Sequence, residues 1–148
     1  MFTQFYEYAQ GPGFTALRYA LKGEPKPIEV NLNLISYFES SEHGCKIHFS
    51  PSQPYANEGG TNTFVTASYE EVLGKIKDAG LSEQFLSLTG GGVRYGVKLQ
   101  SIAMIREIKS GSQLALIPAI NLELKVKETP DQIRSLCPRA FYPKLDRD

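Results

Sequence analysis

Along residues 30–49, VNLNLISYFESSEHGCKIHF, apolar side chains alternate with polar ones, and the same phase returns along residues 97–116, VKLQSIAMIREIKSGSQLAL. Val30 falls on Val97, Leu32 on Leu99, Ile35 on Ile102, Gly44 on Gly111, Ile47 on Leu114 and Phe49 on Leu116. Period-two alternation is the mark of half-buried strands, and both stretches turn at the same glycine. The segments after the two stretches also match. TFVTASYEEVLGKIKDAG and LELKVKETPDQIRSLCPRA each give a short strand and then a helix opened by a capping box, Ser68 with Glu71 and Thr129 with Gln132. Pro130 suits the first helical position, where its missing N–H costs nothing, and Gly80 suits the residue after a helix. Val72, Leu73 and Ile76 form one apolar stripe; Ile133, Leu136 and Cys137 form the other.

These patterns predict an α+β fold, mainly antiparallel β with two short helices, built as a pseudo-symmetric duplication of a ββββα module. Residues 1–80 are the first copy and 81–137 the second, packed as one domain, with 138–148 as a C-terminal tail. Strands are expected at 1–8, 14–21, 28–39, 45–49 and 64–67, then at 85–89, 93–99, 102–108, 113–117 and 122–128. Gly11-Pro12-Gly13 turns the first pair. The leading elements align as QFYEYAQGPGF from Gln4 against QFLSLTGGGVR from Gln84. Neither copy has a generous core alone, so the two are expected to bury their apolar faces on each other, with the helices on one face. Residues 50–63, SPSQPYANEGGTNT, form a long loop, and the tail carries Phe141 and Tyr142 between prolines, placed to dock on the domain or a neighbouring subunit.

Composition narrows the function classes. The chain has 148 residues, 41% hydrophobic and 22% charged, which fits a folded domain. Sixteen basic residues balance sixteen acidic ones, which argues against a nucleic acid or an acidic membrane as partner. No apolar run reaches the roughly 20 residues that span a bilayer. MFTQFYEYAQ lacks the basic and apolar regions of a secretory signal, and two cysteines make neither a disulfide framework nor a zinc cluster, so the expected setting is the cytoplasm.

Each copy resembles the small FlbD-like module, a flagellar-regulator type also found in short phage and mobile-element proteins. The first copy carries the resemblance in Val30-Asn31, Ile35, Glu39, Gly44, Ile47 and Glu70-Glu71-Val72; the second keeps Val97, Ile102, Gly111 and Ile133 but has Lys98 in place of Asn31. Residues 28–136 taken as one unit also look like a LytTR DNA-binding domain in the order of their elements. That family would read DNA with His-Arg-Ser and a following Asn, where this chain has Leu86-Ser87-Leu88-Thr89 and Lys98. The second resemblance therefore implies topology without DNA-reading side chains.

No constellation for catalysis, metal or cofactor emerges. His43 and His48 have no ligand-spaced companions, and Cys45 and His48, three apart on one strand, point to opposite faces. The chemistry-bearing stretch is Thr89-Gly90-Gly91-Gly92-Val93-Arg94-Tyr95, where consecutive glycine N–H groups can cradle an anion, Arg94 can add a charge-assisted fork and Tyr95 can stack. Arg18-Tyr19 after Gly11-Pro12-Gly13 is the parallel in the first copy, and Tyr55 and Asn57 on the long loop are placed to close over the same region. The expected function is a non-catalytic, homo-oligomeric binding protein of phage or mobile-element type, holding a small anionic ligand or a host protein. Its most concrete form is sequestration of a nucleotide-derived defence signal, as in phage anti-defence. A LytTR-like transcriptional regulator and a structural phage component are the alternatives.

Overall fold

The alternation of residues 28–39 is broken at its centre. Val30 and Leu32 are two apart, but the next buried apolar position is Ile35, and the backbone takes a tight 3-10 turn over Leu32–Leu34 to bring Leu32 and Ile35 to the same side. Asn31 starts that turn by accepting the Asn33 N–H on its side-chain oxygen at 3.0 Å. One expected strand is therefore two. A computed structural model describes residues 2–8, 24–49, 62–116 and 123–138. The expected strand 14–21, most of the long loop and the tail beyond Pro138 lie outside them.

The described residues form β1 (Phe2–Glu7), β2 (Lys26–Asn31), β3 (Ile35–Ser41), β4 (Gly44–Phe49), β5 (Asn62–Val65) and helix α1 (Tyr69–Asp78). They continue with β6 (Phe85–Gly90), β7 (Val93–Lys98), β8 (Ile102–Ile108), β9 (Gly111–Leu116), β10 (Glu123–Val126) and helix α2 (Pro130–Leu136). All pairings are antiparallel, which gives the mainly antiparallel α+β fold that the patterning predicts. Both capping boxes are formed, at Ser68 with Glu71 and at Thr129 with Gln132.

One sheet runs β2-β1-β5-β4-β3-β7-β6, the other β10-β9-β8. In a flat sheet β2 and β3 would stand four strand spacings apart, about 19 Å. The three-residue turn that joins them spans only about 6–8 Å. The first five strands must therefore curl, and the break in register between Ile35 and Tyr37 supplies a bend. The second half repeats the order as β7-β6, then β10-β9-β8, with the same register break between Ile102 and Met104. Its two pieces meet where the Lys127 N–H donates to the Thr89 carbonyl at 2.7 Å; in the first half the Thr66 N–H donates to the Tyr6 carbonyl at 2.9 Å.

The halves do not merge their apolar faces into a common core. Phe5, Val30, Leu32, Ile35, Phe38, Ile47, Val65, Val72 and Ile76 form one cluster under α1. Leu86, Leu88, Val97, Leu99, Leu114, Leu116, Leu124, Val126 and Ile133 form another under α2. They are separate because β3 and β7 pair side by side (Tyr37 opposite Val97, Phe38 opposite Gly96, Glu39 opposite Tyr95), and alternate residues of one strand face opposite ways. Phe38 thus enters the first core while Tyr37 enters the second, and Phe85 of β6 crosses into the first. Leu136, expected on the apolar stripe of α2, is exposed because the helix ends there, one turn past Ile133.

The leading elements match differently from the Gln4–Gln84 reading. Phe2 lies opposite Asn31 and Phe85 opposite Lys98, so Phe2 is the counterpart of Phe85. The shared Gln-Phe pair misled by an odd number of residues, which swaps the two faces of a strand.

Candidate functional site

The glycine-rich stretch folds as a tight hairpin. Gly91 and Gly92, with φ of 59° and 80°, make the two-residue turn between β6 and β7, a conformation that suits glycine and matches strand twist. Gly90 answers a different demand: a Cβ there would stand 2.2 Å from the Lys125 carbonyl oxygen, where β10 passes close. Beside it the Glu128 carboxylate accepts the Thr89 N–H at 3.1 and 3.2 Å and the Thr89 hydroxyl at 3.0 Å. A shallow groove of about 540 Å³ opens next to this contact, lined by Lys127, Glu128, Gln132, Ser135 and Leu136.

Arg94 sits just past the turn. Its backbone N–H donates to the Ser40 hydroxyl at 2.9 Å, which ties β7 to β3 beyond the last ladder pair. Its guanidinium lies 4.2 Å over the ring of Tyr69, and one nitrogen donates to the Glu70 carboxylate. Stacking on an aromatic face and a charge-assisted hydrogen bond to a carboxylate are both favourable to a guanidinium. The Arg94 side chain remains 47% exposed and that of Glu70 65%, so this is a solvent-facing pair. The hydrogen bond from Arg94 holds the Glu70 carboxyl below the usual range. Tyr69 is fixed from the other end, its hydroxyl 3.0 Å from the Ser87 hydroxyl oxygen and 3.0 Å from the Tyr95 carbonyl oxygen.

Tyr95 does not join Arg94. Neighbours on a strand face opposite ways, and the Tyr95 ring packs against the second core. Its hydroxyl pKa is raised by burial and then by Glu39. There it is near a second group of polar side chains that sequence reasoning did not assemble. Tyr37 and His48 stack with ring centroids 4.1 Å apart and planes within 5°, and His48 Nε2 is 2.7 Å from Glu39 Oε2. Burial, then Glu39 and Tyr95, raise the Tyr37 hydroxyl pKa.

Of the sequence candidates, Gly90, Gly91, Gly92 and Arg94 share one end of the sheet with the N-terminus of α1. Arg18, Tyr19, Tyr55 and Asn57 lie outside the described residues. Tyr8, the last described residue before the Arg18 segment, reaches the same end, its hydroxyl donating to the His43 carbonyl in the β3–β4 turn. Phe49 and Asn62, which flank the Tyr55 segment, stand at the opposite end of β4 and β5. Tyr69 is the residue that sequence reasoning missed. Its position just inside a capping box was the only local signal.

Cys45 and His48 lie on opposite faces, the thiol buried in the first core and the imidazole beyond it. Burial, followed by Glu70, pushes the Cys45 thiol up to about 12. A thiol held neutral is a poor nucleophile. Iodoacetamide at pH 8 is expected to leave Cys45 intact in the folded protein and to modify it only after denaturation, while the partly exposed Cys137 reacts first. Peptide mass mapping checks this, and early labelling of Cys45 would contradict its burial.

Among the described residues no group of three or more His, Cys, Asp or Glu side chains is placed to hold a metal, and no helix is long and apolar enough to cross a membrane. No family model, curated protein or solved structure matches the chain.

Proposed function

We propose that the protein is a non-catalytic binding protein of phage or mobile-element type, acting in the cytoplasm. In this reading it holds a small anion, in its most concrete form a nucleotide-derived defence signal, at the hairpin end of β6–β7. The observation that carries the reading is the half-exposed Arg94 guanidinium, pre-oriented on the Tyr69 ring and satisfied by an exposed carboxylate. A phosphate group can take the place of Glu70 on the guanidinium without moving the arginine, and the ring keeps the cation in place during the exchange. The phage setting rests on the FlbD-like resemblance.

The test is calorimetric titration with inorganic pyrophosphate, a nucleoside diphosphate and a cyclic dinucleotide, after native mass spectrometry has revealed any ligand carried through purification. Arg94→Ala is expected to weaken binding at least about tenfold, the usual scale for losing a charge-assisted hydrogen bond. Glu70→Gln is expected to tighten it by about two- to fivefold, since an exposed ion pair competes only weakly. Unchanged affinity in Arg94→Ala would reject this site. Binding of duplex DNA that falls steeply with salt would instead favour the regulator reading.

A further inference from the structure

Among the described residues four strands are outermost in their sheets, β2 and β6 in one and β8 and β10 in the other. β6 and β10 meet at the Lys127–Thr89 hydrogen bond, which leaves the edges of β2 and β8. The pairing of β3 with β7 inside the chain indicates what can cover them. By position in the ladders, β8 is the counterpart of β3: each follows a 3-10 turn, breaks register after its first residue and pairs with the strand after it. By the same criteria β2 is the counterpart of β7, each lying between a leading strand and that turn. The chain therefore carries one unused edge of each kind. We propose that β8 of one copy pairs antiparallel with β2 of a second copy in the register of the internal seam. Met104 then stands opposite Val30, Ile105 opposite Glu29 and Arg106 opposite Ile28.

The exposed apolar side chains point to the same contact. Phe85 is 9% exposed and lies 6.1 Å from Phe38 across the seam, whereas its counterpart Phe2 is 65% exposed. Tyr37 is 3% exposed within the second core, whereas its counterpart Met104 is 47% exposed. The proposed pairing covers both: Met104 comes over Val30 of the second copy, and Phe2 of the second copy comes against Ile105, the counterpart of Phe38. Two substitutions fit the same geometry. Gly96 is required where the large Phe38 ring lies; Ile105 is shorter, and the facing residue is Glu29, which has a Cβ. Pro27, which has no N–H, matches Arg94, whose N–H already leaves the ladder for the Ser40 hydroxyl, so the missing donor falls beyond the paired residues.

The polar clamp of the seam is not repeated, since Pro27 replaces Arg94 and Pro130 replaces Tyr69. The contact between copies is accordingly weaker than the seam and concentration-dependent. It is heterologous, so each copy binds one neighbour at each edge and assembly continues until a ring closes or a filament grows. This inference stands independently of the anion site.

Light scattering and native mass spectrometry across a concentration series test it, with Met104→Arg blocking one edge and Phe2→Asp the other. Both positions are exposed, and thermal melts check that each variant is folded. Wild type is expected to populate multiples of the 16.4 kDa chain. Each variant alone is expected at the single-chain mass, and an equimolar mixture at the mass of a one-to-one dimer, because only one intact β8–β2 pairing remains available. A wild type that stays a single chain at the highest attainable concentration overturns the proposal. So does self-association of either variant alone, which would place the contact on like edges or on the tail, and so does failure of the mixture to dimerise.

Discussion

Gly44→Ala and Gly111→Ala are each expected to destabilise the protein by about 3 kcal/mol or more, the sum of a left-handed backbone penalty and an overpacking cost. Both glycines open the second strand of a hairpin at φ of +143°, a conformation that disfavours any Cβ. Space is the harder constraint. A Cβ on Gly44 would stand 1.9 Å from the Val65 carbonyl oxygen, and one on Gly111 2.1 Å from the Val126 carbonyl oxygen. The obstacle in each case is backbone, so no side chain can rotate away. The strand must shift from its neighbour and give up ladder hydrogen bonds. A melting temperature lower by about 6–12 °C is the expected reading for a chain of this size. Gly74→Ala is the control: it lies in α1 with nothing near its Cβ, and helix propensity predicts a gain of about 0.5–1 kcal/mol there. If Gly44→Ala and Gly111→Ala melt within a degree or two of wild type, the close approach of β5 to Gly44 and of β10 to Gly111 is not as described.

That these two positions share a φ value and the same kind of obstacle marks what was legible in the sequence. Gly44 and Gly111 align without a gap, and the apolar phase around them was enough to place β4, β8 and β9, while β3 was read as one strand with β2. Both capping boxes were readable because a cap is written within four residues. Other features were not written locally. The turn at Leu32–Leu34 hides in a run that alternates well on either side of it, and only the spacing from Leu32 to Ile35 departs from period two. The register of β1 depends on its ladder with β2, across a long connection, and a repeated Gln-Phe pair was a poor substitute for that ladder. The candidate site divides the same way. Arg94 and the glycines form a contiguous motif, and strand alternation alone separates Arg94 from Tyr95. Tyr69 reaches Arg94 only through the pairing of β3 with β7, which no local pattern encodes.

That pairing also sets the second large effect. Gly96→Ala is expected to cost about 1–3 kcal/mol, the usual range for overfilling a packed core. A Cβ at Gly96 would stand 2.2 Å from the tip of the Phe38 ring. Phe38 has little room to yield, being fully buried with the Tyr69 ring 5.2 Å away and the Phe85 ring 6.1 Å away. Two responses are open to the structure: β7 moves off β3, or the ring is driven into Tyr69. Either disturbs the platform under Arg94, so Gly96→Ala is also expected to weaken any anion bound there. Phe38→Leu removes the ring tip that meets the new methyl, at the cost of a cavity beneath the seam. The double variant should therefore be more stable than the sum of the two single effects implies, by at least about 1 kcal/mol, as residues in direct contact couple. Urea titration of wild type, both single variants and the double variant measures the coupling. Additive effects would mean that Gly96 and Phe38 do not meet, and the two halves would then not be joined through β3 and β7.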